Sequence, residues 1–373
     1  MNEDRAARYH RLRRRASVAG TTAGAAWLVA LLGTGASAGL ATRVRAVGDS
    51  LAWPIAHPLS LALFITVMAL GWELVSLPFV FYRSFLLERK YGLSSEPLAT
   101  WAGDHLKALG LGLLLTIAGG LSVYGAIRVS GDLWWALTAG FFAAAGVLLS
   151  RIAPVLLMPL FYRFRPLDRE TLRERLMTLS RRAGVPVLGA FEWGLGEKTT
   201  RANAALVGVG HTRRILVSDT LLKDYTDDEI EVILAHEMAH HIHHDMWTAL
   251  ALETAIVAAA LLGAHLAVTR LGAAAGLAGP ADPAALPALI LAAGFVSLLL
   301  TPLGNAWSRS NERRADRFAL TLTRRPGAFI SAMRRLGQQN LAEDRPSAPV
   351  FWFFYTHPTI DERIAAAKEF EAA

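Results

Sequence analysis

The histidines His236 and His240, with Glu237 beside the first, form the pattern H-E-x-x-H. On a helix this spacing places two imidazoles one turn apart on the same face, with a carboxylate next to them. A catalytic zinc ion takes three protein ligands and keeps one position open for water. The pattern is short, and a buried helix carrying hydrogen-bonded histidines is the alternative. The pair therefore supplies two of the three ligands that a zinc site needs.

The elements around the motif predict a helix that can hold both ligands. Residues 226–229 (Thr-Asp-Asp-Glu) have the form of a capping box, which marks a helix start. Apolar residues then follow at helical spacing, namely Ile230, Ile233, Leu234 and Met238. His241, His243 and His244 extend the run. Three histidines along one straight helix cannot converge on one ion, so we interpret these last three as a solvated or interfacial face.

A third ligand has to come from elsewhere in the chain. Glu312 and Asp316 are four residues apart, so they share one face of a predicted helix. Arginines surround both carboxylates. From spacing alone, a metal-binding pair and a salt-bridged surface are equally good interpretations.

The composition is that of a membrane protein. Of 373 residues, 53% are hydrophobic and 18% are charged, and the mean hydropathy is +0.34. The absence of cysteine excludes disulfides and thiolate ligands. The net charge of +7 comes from basic residues that flank apolar runs and do not alternate with aromatics. This indicates a role in membrane orientation and no nucleic-acid partner.

Six segments are apolar over about the 20 residues that a bilayer crossing requires. They lie near 18–41, 59–82, 106–128, 132–160, 247–269 and 284–303. The predicted fold is a mainly α membrane protein with about six transmembrane helices and a zincin-like α+β catalytic domain. Its predicted parts are a basic cytoplasmic tail (1–16), four spans (17–162), a catalytic domain with the motif helix (163–246), two further spans (247–303) and a C-terminal helical part of the catalytic domain (304–373).

The segment between the fourth and fifth spans has the pattern of a small α+β unit. An amphipathic helix with Leu172, Leu176 and Leu179 on one stripe precedes three β-rich runs. These runs are Val187–Trp193, Ala204–Val209 and Arg214–Ser218. The longest loop between the first four spans is expected at 83–105, and a second loop at 272–287.

The positions of the basic residues and the number of spans predict the orientation of the protein in the membrane. The basic tail and the loop around Arg89 and Lys90 favour the cytoplasm, and an even number of spans returns both parts of the catalytic domain to that side. Ala36-Ser37-Ala38 could form a signal-peptide cleavage site, but we expect the first span to be retained. The expected location is a bacterial inner membrane.

Over nearly its whole length the chain resembles the integral-membrane zinc endopeptidases of the CAAX prenyl protease type I family. The resemblance rests on LPFVFYRSFLLERKYGL (77–93), MPLFYRF (158–164), RANAALVGVG (201–210), HEMAH (236–240), NERRAD (311–316) and THPTIDERI (356–364), in that family's order. It implies one zinc ion on His236, His240 and Glu312, with Asp316 orienting a ligating histidine. The catalytic residues would then be Glu237 and His357, and Asn203, Ala204 and Arg363 would contact the substrate.

The expected function is hydrolysis of peptide bonds in membrane-associated proteins or peptides, by CAAX-type processing or membrane-protein quality control. The partners are therefore a peptide or membrane-protein substrate and the lipid bilayer. The chain is shorter than the eukaryotic members and shows six spans where they have seven. A catalytically silent scaffold of the same fold and a transporter are the alternatives. An altered H-E-x-x-H motif would favour the scaffold, and many ionisable groups within the spans would favour the transporter.

Overall fold

The computed structural model describes residues 4–50, 56–208 and 210–372, and most of them are helical. The helices α1 to α7 are Arg5–Gly33, Ala36–Asp49, Ala56–Phe81, Leu87–Lys90, Leu98–Ser130, Trp134–Ile152 and Glu170–Arg182. The helices α8 to α14 are Asp219–Asp224, Asp227–Ile242, Asp245–Leu271, Leu286–Thr323, Pro326–Gln339, Ala348–Phe354 and Ile360–Ala372. The strands β1 to β4 are Phe164–Pro166, Ala190–Trp193, Ala204–Val207 and Arg214–Ser218.

Five helical segments in the described ranges are long and apolar enough to cross a membrane. One of them, Leu98–Leu160, is 63 residues long and turns back on itself at Gly131, whose φ is +53°. After this turn Gly119 of α5 lies against Phe142 of α6, as expected for a helical hairpin. The spanning helices are therefore α1, α3, α5, α6, α10 and α11, and the predicted fold with about six spans is confirmed.

The first spanning helix differs from the expectation at both ends. Asp4 caps α1, which begins at Arg5, so the described part of the predicted tail is helical and continuous with the span. Residues 1–3 lie outside the described ranges. The apolar run to residue 41 breaks at Gly35, which has a φ of +70°, and α2 begins after it. Glycine adopts this left-handed conformation without the steric cost of a Cβ.

The predicted loop at 83–105 is mostly helical. After Pro78 inside α3, the chain continues through a π-helical turn at Tyr82–Leu86 and through α4 to Lys90. Proline removes one helical hydrogen bond and crowds the preceding turn, and a π-helical turn can absorb the distortion. Only residues 91–97 separate this helix from α5. In the predicted loop at 272–287 the structure has short 3₁₀ turns and the start of α11.

Small residues let the membrane helices approach closely. A Cβ added to Gly71 of α3 would lie 2.5 Å from the Trp27 ring of α1, and one added to Gly263 of α10 would lie 2.7 Å from Val296 of α11. Close packing of this kind stabilises helix pairs in lipid, where the hydrophobic effect does not drive association.

The four strands form one sheet in the order β1-β2-β4-β3. Strands β2 and β4 are parallel, whereas β1 with β2 and β3 with β4 are antiparallel. The predicted runs therefore form strands, although shorter ones, and Val209 lies outside the described residues. The strand β3 is at one edge of the sheet, with its outer edge free of any described strand.

One hydrophobic core joins the two parts of the predicted catalytic domain. The predicted stripe of α7 is buried in it, together with residues of β4, α9, the end of α11, α12 and α14. The buried members include Leu172, Leu176, Leu179, Ile215, Ile230, Met238, Leu320, Phe329 and Ala367. The chain on either side of the fifth and sixth spans thus folds into a single unit at one end of the helices.

The basic N-terminus lies at this same end. Arg14 of α1 forms an ion pair with Glu343 of the predicted catalytic domain, and His10 contacts the carbonyl of Leu341. At the opposite end of the membrane helices, Ser37 of α2 donates a hydrogen bond of 2.8 Å to the carbonyl of Ala284.

Candidate active site

The helix α9 presents its two motif histidines on one face. Thr226 accepts a hydrogen bond from the backbone of Glu229, whose carboxylate accepts one from the backbone N–H of Thr226 at 2.8 Å, so the predicted capping box is present. Buried Ile230, Leu234 and Met238 fix the rotation of the helix in the core. The face that carries His236 and His240 is thereby turned towards α11.

Three ligand atoms from two helices converge on one point. The Nε2 atoms of His236 and His240 are 3.3 Å apart, and the carboxylate oxygens of Glu312 lie 3.2 Å from the first and 3.5 Å from the second. A tetrahedral zinc site with bonds of about 2.0–2.1 Å has ligand-to-ligand distances of about 3.4 Å. Oε2 of Glu312 is buried and accepts no hydrogen bond within the described chain. The donor set and its spacing therefore fit a metal ion.

A carboxylate behind each histidine sets its tautomer. Asp316 lies 2.8 Å from Nδ1 of His236, and Asp245 lies 2.8 Å from Nδ1 of His240. When Nδ1–H donates to a carboxylate, the lone pair of Nε2 is left free for a metal. The structure places Asp316 behind one of the two motif histidines, His236, and its role in orienting a metal ligand stays a prediction.

Asp245 was not found by the sequence reasoning. It is the first residue of α10, and it reaches back to His240 because the chain reverses at His244, a non-glycine residue with a φ of +56°. The only signal in the sequence was a carboxylate soon after the motif. A left-handed residue at this position is not predictable from the residue type, so the contact could not be foreseen.

Arg363 is placed behind the metal-binding atoms. Its guanidinium donates two hydrogen bonds to Asp316, at 2.6 and 2.8 Å, and its side chain is 11% exposed. Burial alone would lower the pKa of His236, but its contacts with Asp316 and Glu312 outweigh that effect and raise the pKa to about 9.

Glu237 and His357 lie beside the converging ligands. Glu237 follows His236 on α9, and burial raises its pKa above the ordinary value. Nε2 of His357 is 3.4 Å from Oε1 of Glu312, while its Nδ1 is 2.8 Å from the hydroxyl of Thr356. The His357 side chain is 60% exposed, so the ring borders the site and remains accessible from outside.

The segment that carries His357 is held against α11. Arg309 donates a hydrogen bond of 2.6 Å to the carbonyl of Tyr355, and Asn305 donates one of 2.8 Å to the carbonyl of Phe353. Both donors are on the helix that carries Glu312. The same helix thus positions the third candidate ligand and the histidine beside it.

The predicted substrate strand is present, but its residues differ in exposure. Ala204 is buried, with its side chain in the domain core, whereas Asn203 is exposed and pairs through its main chain with Ser218 of β4. Among the described residues, neither Asn203 nor Ala204 forms a hydrogen bond or an ion pair with the metal-binding atoms. Their role in substrate binding stays a prediction.

The interpretation of His241, His243 and His244 as one solvated or interfacial face needs a correction. His241 is partly buried, and its Nε2 contacts the carbonyl of Leu206 at 2.8 Å, so it ties α9 to β3. His243 packs against the ring of Phe318, and His244 is exposed at the turn. The helix ends at Ile242, so these residues do not form one continuous face.

The fold and the site together define a membrane-embedded metalloendopeptidase. The family model described as Peptidase family M48 matches residues 166–371, and the one described as CAAX prenyl protease N-terminal, five membrane helices, matches residues 2–163. The chain belongs to peptidase family M48.

Individual relatives agree with this assignment. The uncharacterized metalloprotease YhfN of Bacillus subtilis is 30% identical over 83% of this chain and 74% of its own length. The probable CAAX prenyl protease 1 of Schizosaccharomyces pombe is 32% identical over 53% of this chain and 41% of its own. The crystal structure of S. mikatae Ste24p superposes with a TM-score of 0.81 at 20% identity, covering 97% of this chain and 87% of that one, which shows the fold.

Proposed function

We propose that the metal of this enzyme is zinc, held by His236, His240 and Glu312, one ion per chain. Two imidazole nitrogens and one carboxylate oxygen form a ligand set common in catalytic zinc sites. The single observation that carries the proposal is that the two Nε2 atoms are 3.3 Å apart and each lies 3.2–3.5 Å from one oxygen of the Glu312 carboxylate. Zinc, when bound, lowers the pKa of a coordinated water to about 7 and polarises a carbonyl.

The protein groups around the ligands can move the protons of peptide hydrolysis. Glu237 is next to a ligand and is not one itself, so it can accept the proton of the attacking water and pass it to the leaving amine. His357 can donate a hydrogen bond to the oxyanion of the tetrahedral intermediate, since its ring borders the ligands and stays accessible. Arg363, through its two hydrogen bonds to Asp316, would position His236 and act only indirectly on the substrate.

The substrate is a peptide segment of a membrane-associated protein. An extended segment could pair with the free edge of β3, using the main chain of Asn203 and Ala204. CAAX-type processing, suggested by the names of several relatives, and membrane-protein quality control both fit this mode of binding. Mass spectrometry of peptides that accumulate on a Glu237→Gln variant in native membranes would distinguish prenylated from unmodified substrates.

The catalytic domain is expected on the cytoplasmic face of a bacterial inner membrane. Arg11, Arg13 and Arg14 of α1 and the α4 pair Arg89–Lys90 belong to the helix ends next to the catalytic domain, and basic residues favour the cytoplasmic side. YhfN, the bacterial relative, is consistent with such a host.

Metal content and activity test the proposal together. Purified protein should contain about one zinc per chain, Glu312→Ala should lower that content, and Glu237→Gln should keep the zinc and lose peptide hydrolysis. Glu369→Gln, an exposed glutamate of α14, is the matched control and should change neither. Full zinc content in a variant lacking both Glu312 and His240 side chains would refute the three-ligand site.

A further inference from the structure

A cavity of about 590 Å³ adjoins the metal site on its membrane side. His240 and Glu312 form one end of it, and α10 and α11 form its walls. We refer to this cavity as the membrane cleft. It joins the candidate active site to the part of the protein that is embedded in the bilayer.

The wall formed by α11 is polar although the helix is apolar enough to span a membrane. Ser297, Thr301, Asn305, Ser308 and Asn311 line the cleft at intervals of three or four residues, so they occupy one face of α11. Asn305 already donates to the carbonyls of Trp352 and Phe353, so the hydroxyls of Ser297 and Ser308 and the amide of Asn311 are the groups on this face that can bond to water or to a peptide main chain. The α10 wall adds the apolar residues Met246, Ala249, Leu252 and Ile256, so the cleft offers hydrogen-bonding groups on one wall and apolar contact on the other, which suits a polypeptide with mixed side chains.

Glu253 is the one charged residue in the cleft wall that has no partner among the described residues. The cleft also contains Asp245, which is paired with His240 and Arg314, and Glu312, which faces the two motif histidines. Among the described residues that line the cleft there is no lysine or arginine. A carboxylate in a spanning helix is costly unless it is paired or serves a function.

The position of Glu253 sets its distance from the reacting bond. It is eight residues beyond Asp245 on α10, which is about 12 Å along the helix axis. An extended peptide covers about 3.3 Å per residue, so 12 Å corresponds to three or four residues. We propose that Glu253 is a specificity-determining residue, which selects a lysine or arginine of the substrate three or four residues from the scissile bond, on the side that enters the membrane cleft.

This inference rests on the proposed function and deepens it. A set of quenched fluorescent peptides, each with Lys, Gln or Glu at one position on either side of a common scissile bond, tests it on the purified full-length protein with zinc. For the wild type, kcat/KM should be up to about fivefold higher for Lys than for Gln at one position three or four residues away, because Glu253 is exposed and an exposed charge pair contributes up to about 1 kcal/mol.

Two substitutions isolate the carboxylate. Glu253→Gln should lose the preference for Lys while hydrolysing the Gln peptide as the wild type does, and Glu253→Lys should prefer the Glu peptide. Glu369→Gln should keep the wild-type preference. Unchanged hydrolysis of the Gln peptide shows that each variant is folded and contains metal.

The outcomes separate this inference from the proposed function. Zinc-dependent hydrolysis without any charge preference in the wild type would overturn the role of Glu253 and leave the proposed function intact. A Lys preference that survives in Glu253→Gln would also overturn that role. If no peptide of the set is cleaved in a zinc-dependent way, the proposed function fails, and the inference fails with it.

Discussion

Replacing Asp245 should weaken metal binding without unfolding the protein. This carboxylate is 6% exposed and holds Nδ1 of His240 at 2.8 Å, while its other oxygen contacts Arg314. The equivalent change at Asp316 would leave the guanidinium of Arg363 buried and unpaired, and an uncompensated buried charge destabilises a fold by about 3–5 kcal/mol. The Arg314 side chain is 46% exposed and can be solvated instead. Asp245 is therefore the cleaner test of a carboxylate behind a zinc ligand.

The magnitude follows from what each substitution removes. Asp245→Asn keeps an oxygen that can accept from Nδ1–H of His240, but it loses the charge that makes the imidazole a stronger ligand. Asp245→Ala also loses the hydrogen bond that orients the ring. Changes behind a zinc ligand typically cost about 10–100-fold in affinity, so we expect about tenfold for Asn and close to 100-fold for Ala. These factors correspond to about 1.4 and 2.7 kcal/mol.

Competition of the purified protein with a chelator of known zinc affinity measures both values. Asp168→Asn, in the exposed loop before α7, is the control and should bind zinc as the wild type does. Circular dichroism and thermal unfolding of the metal-free variants separate a weaker site from a damaged fold. Zinc affinity of Asp245→Ala within twofold of the wild type would refute the reasoning.

Two other predictions concern catalysis and topology. His357→Phe should lower kcat by about 10²-fold with little loss of zinc, as for other oxyanion donors. Steady-state kinetics together with metal analysis will show whether His357 acts in the transition state. An unchanged kcat would mean that His357 is only a turn residue before Pro358. Because the chain has no cysteine, single cysteines at exposed Thr178, Ala281 and Ala366 can be probed in intact cells with an impermeant thiol reagent. Only position 281 should react, and labelling at 178 or 366 would place the catalytic domain outside.

The parts of the site that sequence reasoning could reach are those determined locally. The capping box and the apolar spacing of α9 depend on neighbouring residues, so the face shared by His236 and His240 could be predicted from that segment alone. Glu312 is 72 residues further along, beyond two membrane spans. Its own neighbourhood fitted a salt-bridged surface equally well, and only the resemblance to a known family favoured the ligand role.

What could not be predicted depends on where the chain turns and on contacts across the fold. Asp245 reaches His240 only because His244 adopts a left-handed conformation. The expected interfacial role of His241 failed because β3 presents a carbonyl to it, a contact made 35 residues away in sequence. The contact of Arg363 with the substrate stays a prediction, and its pairing with Asp316 needed the packing of α14 against α11 to become visible.

The length of α11 determines where in the membrane protein the reaction takes place. The helix has 38 residues and is about 57 Å long, whereas the hydrocarbon core of a bilayer is about 30 Å thick. Glu312 is 26 residues, or about 39 Å, from the start of the helix at Leu286, so it lies beyond the hydrocarbon layer when that start is at the opposite surface. The position of Asp245 supports the same depth, because Asp245 begins α10 beside His240 and the apolar part of that helix follows it.

With the start of α11 at the opposite surface, the candidate metal site is at the level of the membrane surface, and the membrane cleft leads from it towards the bilayer. A peptide bond within the hydrocarbon layer cannot reach the three ligands unless its helix leaves the membrane and unwinds. We expect cleavage within a few residues of the membrane boundary of an anchored substrate, where the chain is already extended and lysine and arginine are frequent on the cytoplasmic side.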